Sequence, residues 1–174
     1  MKKEIKNIGA SVKARLLKLA KKYQIDFNRM LLLYVQERFL CRLSKSKYKV
    51  NFILKGGLLM YGRYQEKARS TKDIDLSADR IRNKEEKILQ IIHEIIGIEI
   101  EDGIVFDLDS VSIEQITERL EYGGFRIKLK GSLDAAVQIL QIDIGFKDII
   151  YPTPIGFEYP VLLEDGSHSE YLQE

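Results

Sequence analysis

The 174-residue sequence contains one cysteine, two histidines and three prolines, and no apolar run of the length that spans a membrane. A spanning helix needs about 20 consecutive apolar residues, and the charged N-terminus does not resemble the apolar core of a signal peptide. We therefore expect a cytoplasmic protein without a membrane segment. Cys41 has no cysteine partner and lies in an apolar helical pattern, which predicts a buried structural thiol.

Several common functional signatures are also missing. His93 and His168 have no Cys or His partner at zinc spacing, so both are predicted to be exposed to solvent. The glycine pair Gly56-Gly57 lacks the Gly-Lys-Ser/Thr of a P-loop, and no G-x-G-x-x-G follows a predicted strand. These absences argue against P-loop ATPases and dinucleotide-binding enzymes.

The charge of the chain is unevenly distributed. Residues 1–50 contain 14 Lys and Arg against 3 Asp and Glu, whereas residues 51–174 contain 14 against 23. A basic region can neutralise nucleic-acid phosphates, and an acidic region tolerates bound divalent cations. Lysines that merely solvate helix faces would give the same count, so charge alone supports RNA binding weakly.

The hydrophobic periodicity predicts helices first and strands later. An amphipathic helix is expected over Ser11–Tyr23, followed by a largely buried helix with Asp26 as its N-cap. Further elements follow in the order strand, helix, strand, helix and four strands: Val50–Leu54, Leu58–Tyr64, Asp73–Ser77, Asn83–Ile96, Gly103–Phe106, Val111–Ile116, Tyr122–Lys130 and Ala136–Phe146. This pattern predicts an α+β or mixed α/β domain with one main sheet.

The same pattern suggests three regions. Residues 1–50 form a basic helical prefix packed on the core, residues 51–150 form the core itself, and residues 151–174 form a tail. The tail contains all three prolines and no convincing periodic element, so it is expected to be irregular or extended.

Three aspartates carry the strongest chemical signal. Asp73 and Asp75 alternate along a predicted strand, so their carboxylates project to the same side. Such a pair suits magnesium, which proteins hold through one or two carboxylates together with substrate phosphates. Asp143 is the best candidate for a third ligand, because it is the only charge in a predicted buried strand and needs a partner there.

The glycines distinguish this aspartate pair from the second D-x-D, Asp107-Leu108-Asp109, which lies in a turn-like stretch. Fifteen residues separate Gly57 from Asp73. Glycines at the start of a helix let the backbone approach a triphosphate. The alternative is an acidic strand end whose carboxylates cap neighbouring backbone. Further candidates for phosphate contacts flank the site, although surface solubility would explain each of them singly: Lys55, Arg69, Ser70, Thr71 and Lys72.

The sequence resembles the AbiEii/AbiGii-type nucleotidyltransferase toxins of bacterial abortive-infection and toxin–antitoxin systems. The likeness extends through seven segments of the chain: Ala10–Leu17, Glu37–Ser44, Phe52–Gly57, Arg69–Leu76, Glu121–Arg126, Gln141–Phe146 and Tyr159-Pro160.

The resemblance implies a fold similar to that of DNA polymerase β. In such a fold Gly56 and Gly57 hold the triphosphate of an NTP, and Asp73, Asp75 and Asp143 gather Mg²⁺ or Mn²⁺. It also implies transfer of a nucleotide to an RNA acceptor, with tRNA ends known for some members, and a cognate antitoxin as partner.

The family continues past the equivalent of Tyr159-Pro160 into a helical C-terminal half, whereas this sequence ends at Glu174. Two alternatives to an active enzyme therefore stay open: a catalytically silent nucleotide- or RNA-binding remnant, and a purely structural partner-binding domain. We also expect self-association, most simply a homodimer, because the missing half would leave apolar surface uncovered. The apolar residues of 151–163 would participate, unless that segment folds back on its own sheet.

Overall fold

A computed structural model describes residues 7–65, 71–117, 123–146, 153–163 and 170–173 of the chain. These residues form four helices and eight strands in one mixed sheet. The helices are α1 (Ile8–Tyr23), α2 (Phe27–Lys45), α3 (Gly56–Tyr64) and α4 (Glu85–Ile96). The strands are β1 (Phe52–Lys55), β2 (Asp73–Ala78), β3 (Ile104–Phe106), β4 (Ser112–Ile116), β5 (Gly124–Leu133), β6 (Ala136–Phe146), β7 (Gly156–Tyr159) and β8 (Glu170–Gln173). The predicted α+β class with a single mixed sheet is confirmed.

The helices begin and end where the sequence provides caps. The carboxylate of Asp26 accepts hydrogen bonds from the amides of Asn28 and Arg29, at 2.9 and 3.3 Å, and starts α2 as predicted. Gly97 follows the last residue of α4, and the predicted isoleucine face of that helix is buried. Cys41 is fully buried in α2, and His93 lies exposed on α4.

The strand order in the sheet is β3-β5-β6-β2-β1-β8-β7, with β4 also paired to β5. The central pair, β2 and β6, is parallel, whereas β1 pairs antiparallel with β2 and β5 pairs antiparallel with β6. Because side chains alternate between the faces of a strand, this register decides which residues of four neighbouring strands meet on one face.

Helix α2 packs on one face of the sheet. A methyl group on Gly131 of β5 would lie 2.8 Å from a side-chain carbon of Val35, so the glycine permits close contact between α2 and the sheet. Buried charges fix the helix further, since Arg42 forms a two-point ion pair with Asp102 at 2.8 and 3.2 Å. The hydroxyl of Tyr34 also donates to the carbonyl of Asp102.

The tail, which was expected to be irregular or extended, contains two short extended strands among its described residues. Strands β7 and β8 pair with each other, and β8 continues the sheet beside β1 through the pairing of Ile53 with Gln173. Tyr159 is buried, and the amide of Leu162 donates to the buried carboxylate of Glu37 on α2. The described part of the tail therefore packs on its own domain, and its strands form one edge of the sheet.

Within the described residues, no helix combines the length and the apolar character that crossing a bilayer requires.

Candidate active site

Charged residues form a row across five neighbouring strands. The register pairs Lys55 of β1 with Asp75 of β2, Asp75 with Asp143 of β6, Asp143 with Arg126 of β5, and Arg126 with Glu114 of β4. Neighbouring strands lie about 4.8 Å apart, so these side chains project from adjacent positions of the same sheet face. The parallel pairing of β2 with β6 brings together two carboxylates that are 68 positions apart in the chain.

Asp73 and Asp75 occupy alternate positions of β2, with the buried Ile74 between them facing the core. Among the described residues, neither carboxylate has a hydrogen bond or an ion pair. Burial raises the pKa of Asp75, and the charges of Asp143 and Asp73 raise it further. Burial also raises the pKa of Asp73, with Asp143 as the second cause. A cation between these carboxylates would relieve their repulsion.

The third predicted carboxylate is engaged by an arginine. Arg126 donates from Nε to one oxygen of Asp143 at 2.9 Å and from Nη2 to the other at 3.1 Å. The Asp143 carboxylate, hydrogen-bonded to the guanidinium, raises the pKa of Arg126. In the part of the chain that the structure describes, no group of three His, Cys, Asp or Glu side chains is arranged to hold a metal ion.

The glycine pair starts α3 directly beside Asp75. Gly56 has a φ of +70°, a left-handed conformation that favours glycine, and a methyl group there would collide with the Asp75 carboxylate. A methyl group on Gly57 would lie 2.9 Å from Cβ of Thr71. No described side chain caps this end of α3. Because the start of a helix attracts anions, the first amides of α3 are candidate phosphate donors next to the carboxylates.

An open cleft of about 650 Å³ contains the row of charged residues. This volume lies within the usual range for small-molecule sites, about 300–1,000 Å³. The cleft is lined by Lys55, Asp73, Asp75, Glu114, Gln115, Ile116, Thr117, Arg126, Asp143 and Gly145. The structure therefore brings the three predicted aspartates and Lys55 into one cleft.

The other described residues predicted to contact phosphate are not among those that line the cleft. Thr71 contacts Gly57 and exchanges hydrogen bonds with the backbone of Asp73, at 3.2 and 3.4 Å. Lys72 is exposed and lowers the pKa of Asp73 only as a minor cause. Arg69 and Ser70 lie outside the described residues, so the structure gives no position for them.

The second aspartate pair has a local structural role. The carboxylate of Asp107 accepts a hydrogen bond from the amide of Asp109 at 3.0 Å and caps a short 3₁₀ turn over Leu108–Ser110. Neither aspartate lines the cleft described above. The turn-like reading of this pair is therefore supported by its geometry.

Sequence analysis assigned no role to two charged residues of the cleft, Arg126 and Glu114. The alternation of charged and apolar residues in β4 and β5 was visible, but only the strand register shows that Glu114, Arg126 and Asp143 are neighbours.

Two carboxylates of the cleft fit the ligand requirements of a magnesium ion. Asp73 and Asp75 offer hard carboxylate oxygens without a protein partner among the described residues, and magnesium is commonly held by one or two carboxylates together with phosphates. Asp143 would join them only if its pair with Arg126 opened.

The mixed sheet carries a carboxylate-lined cleft on one face. The family model described as nucleotidyl transferase AbiEii toxin, type IV toxin–antitoxin system, matches residues 38–171. The match covers well over half of the chain, and the protein belongs to the AbiEii nucleotidyltransferase toxin family. No curated protein matches the chain.

Two solved structures resemble the fold. One is a candidate nucleotidyltransferase from H. pylori, with 16% identity and a TM-score of 0.49 over 84% of this chain and 52% of that one. The other is JHP933 from Helicobacter pylori, with 18% identity and a TM-score of 0.44 over 67% of this chain and 43% of that one. At these values the family assignment rests on the match over residues 38–171. The chain spans about half the length of the two solved structures.

Proposed function

We propose that this chain provides the metal- and nucleotide-binding core of a magnesium-dependent nucleotidyltransferase that transfers a nucleotide from an NTP to an RNA acceptor. The observation that carries the proposal is the carboxylate pair Asp73 and Asp75, which lies beside the glycine start of α3 in one cleft and has no hydrogen bond or ion pair among the described residues. Membership of the AbiEii family supports the reaction type.

The residues of the cleft suit this reaction individually. Asp73 and Asp75 would hold Mg²⁺, or Mn²⁺ in its place, and their raised pKa values mean that they gain from a nearby cation. When bound, the ion supplies Lewis-acid stabilisation of charge on the phosphates. The amides of Gly56 and Gly57 would bind the triphosphate at the start of α3, and Lys55 adds a positive charge beside it.

Asp143 is the residue suited to assist the acceptor. Its carboxylate lies across from Asp75 and would orient the attacking hydroxyl and receive its proton as the hydroxyl oxygen bonds to phosphorus and pyrophosphate leaves. We propose a cognate antitoxin as the partner, as the family description of a type IV toxin–antitoxin system suggests. We propose tRNA as the acceptor, as the resemblance to the AbiEii/AbiGii-type toxins implies. Both are proposals about the activity and the partners of the whole protein.

The test measures magnesium-dependent NTP binding, and incorporation of labelled NTP into tRNA, for the full chain. Asp73→Asn and Asp75→Asn remove charge at nearly constant volume, and we expect each to weaken magnesium-dependent binding by more than about tenfold. Asp107→Asn and Asp109→Asn are matched controls from the second D-x-D and should leave binding unchanged.

Two results would contradict the proposal. If the Asp107 and Asp109 variants lost binding while the β2 variants kept it, the site would be misassigned. If the wild-type chain bound no NTP at millimolar concentration with magnesium present, a partner-binding domain would be the better description. Binding without incorporation would favour the silent remnant.

A further inference from the structure

Arg126 holds both oxygens of the Asp143 carboxylate. The guanidinium donates from Nε and Nη2, at 2.9 and 3.1 Å, in the parallel two-point geometry that only arginine provides. The side chain of Asp143 is 18% exposed and that of Arg126 is 35% exposed. The pair is shielded enough to be stronger than an ordinary surface ion pair, but Arg126 is accessible from the cleft.

The position of Asp143 creates a competition between its two neighbours. In the sheet, Asp143 lies directly between Asp75 on β2 and Arg126 on β5. Because both Asp143 oxygens accept from Arg126, a cation held by the carboxylates of β2 competes with the guanidinium for them. The arrangement therefore leaves two carboxylates for a cation while the pair is closed and offers three when it is open.

Arg126 also has a donor that the pair with Asp143 does not use. Its Nη1 has no hydrogen bond among the described residues, and its side chain lines the cleft together with Asp73 and Asp75. Phosphate groups bind the arginine fork with the same two-point geometry as a carboxylate. A nucleotide entering the cleft could thus take over the guanidinium and release Asp143.

We propose that Arg126 is a positioning residue that keeps Asp143 away from the metal ligands in the nucleotide-free protein and moves to the nucleotide phosphates on binding. The proposal rests on the function proposed above for this cleft. Its consequence is that the three-carboxylate site is assembled by the nucleotide, and that metal alone binds weakly.

The test uses Mn²⁺ alone as probe, with binding followed by electron paramagnetic resonance on the full chain. Arg126→Gln frees Asp143, and we expect Mn²⁺ to bind about three- to tenfold more tightly, the range expected from losing one partly shielded ion pair. Arg126→Lys keeps the charge but loses the fork, and should tighten Mn²⁺ binding by at least about twofold. In the presence of Mn²⁺, both variants should bind the NTP more weakly than the wild type.

A matched control separates this effect from simple charge removal. Lys128 lies two positions from Arg126 on the same strand face, and its charge lowers the pKa of Asp73. If only local charge mattered, Lys128→Gln would tighten Mn²⁺ binding as much as Arg126→Gln does, and Arg126→Lys would match the wild type. We expect Lys128→Gln to change Mn²⁺ affinity by less than about twofold, since the screened charge contributes little.

The double variant Asp143→Asn with Arg126→Gln completes a double-mutant cycle. Once Asp143 is neutral, Arg126→Gln should give no gain in Mn²⁺ affinity. A gain that persists there would overturn the inference. If the wild type binds Mn²⁺ and the folded Arg126 variants bind it equally or more weakly, the inference about Arg126 is also overturned. That result leaves the proposed function intact. Binding by Arg126→Gln but not by the wild type supports the inference. Absence of binding in both overturns the two proposals together. Thermal unfolding of each variant checks that it is folded.

Discussion

Gly56 offers the sharpest link between backbone conformation and the candidate site. Its φ of +70° costs a residue with a side chain about 1–2 kcal/mol. A methyl group would also collide with the Asp75 carboxylate, which is the flexible end of a side chain and must turn away. We therefore expect Gly56→Ala to lower the melting temperature by roughly 2–8 °C, at about 2–4 °C per kcal/mol for a chain of this size.

The same substitution should displace Asp75 and weaken binding of Mg²⁺ or Mn²⁺. Gly123 provides a matched control, because its φ is +73° and a methyl group there would meet nothing within 4 Å. Gly123→Ala should show a similar loss of melting temperature in a circular-dichroism melt and unchanged metal binding. Equal effects on metal binding in the two variants would refute the reasoning, as would a Gly56→Ala variant of unchanged stability.

Two further predictions concern charge and stability. Because the pKa of Asp75 is raised above its ordinary 3.8, the folded state binds that proton more tightly than the unfolded state does, and stability falls as the pH rises through the folded-state pKa. Asp75→Asn should therefore stabilise the metal-free protein at pH 7, by roughly 0.5–2 kcal/mol. In urea titrations this gain in unfolding free energy should vanish below about pH 4. A stabilisation that does not depend on pH would contradict the prediction. Arg42→Ala should cost about 3–5 kcal/mol in urea unfolding, because it leaves the buried Asp102 carboxylate unpaired, and a cost below about 1 kcal/mol would show that the pair contributes little.

Local patterns in the sequence were sufficient to predict most elements and the location of the cleft. The isoleucine stripe of α4, the Asp26 cap of α2 and the alternation in β6 depend on neighbours within one or two turns or along one strand, so they are visible without a fold. Asp73 and Asp75 share a face for the same reason. The glycine start of α3 was visible as a break in the pattern between a strand and a helix.

Features that depend on pairing between distant segments could not be predicted. The ion pair of Asp143 with Arg126 is decided by the register of β5 against β6, which no local pattern in the sequence reveals. The tail shows no convincing periodic pattern for its two strands, and β8 pairs with β1 across most of the chain. Counting charges also overstated the basic surface, because Arg38 and Arg42 are buried and paired within the fold.

The row of charges across five strands makes the cleft intolerant of one kind of genetic change. Insertion or deletion of a single residue within β6 would shift its register and turn Asp143 to the face that packs against α2. The same slip would bring Ile142 or Ile144 to the open face. We therefore expect related chains to vary in length between these strands and to keep a constant length within them. Insertion or deletion of one codon within a strand would disrupt the site and the core together.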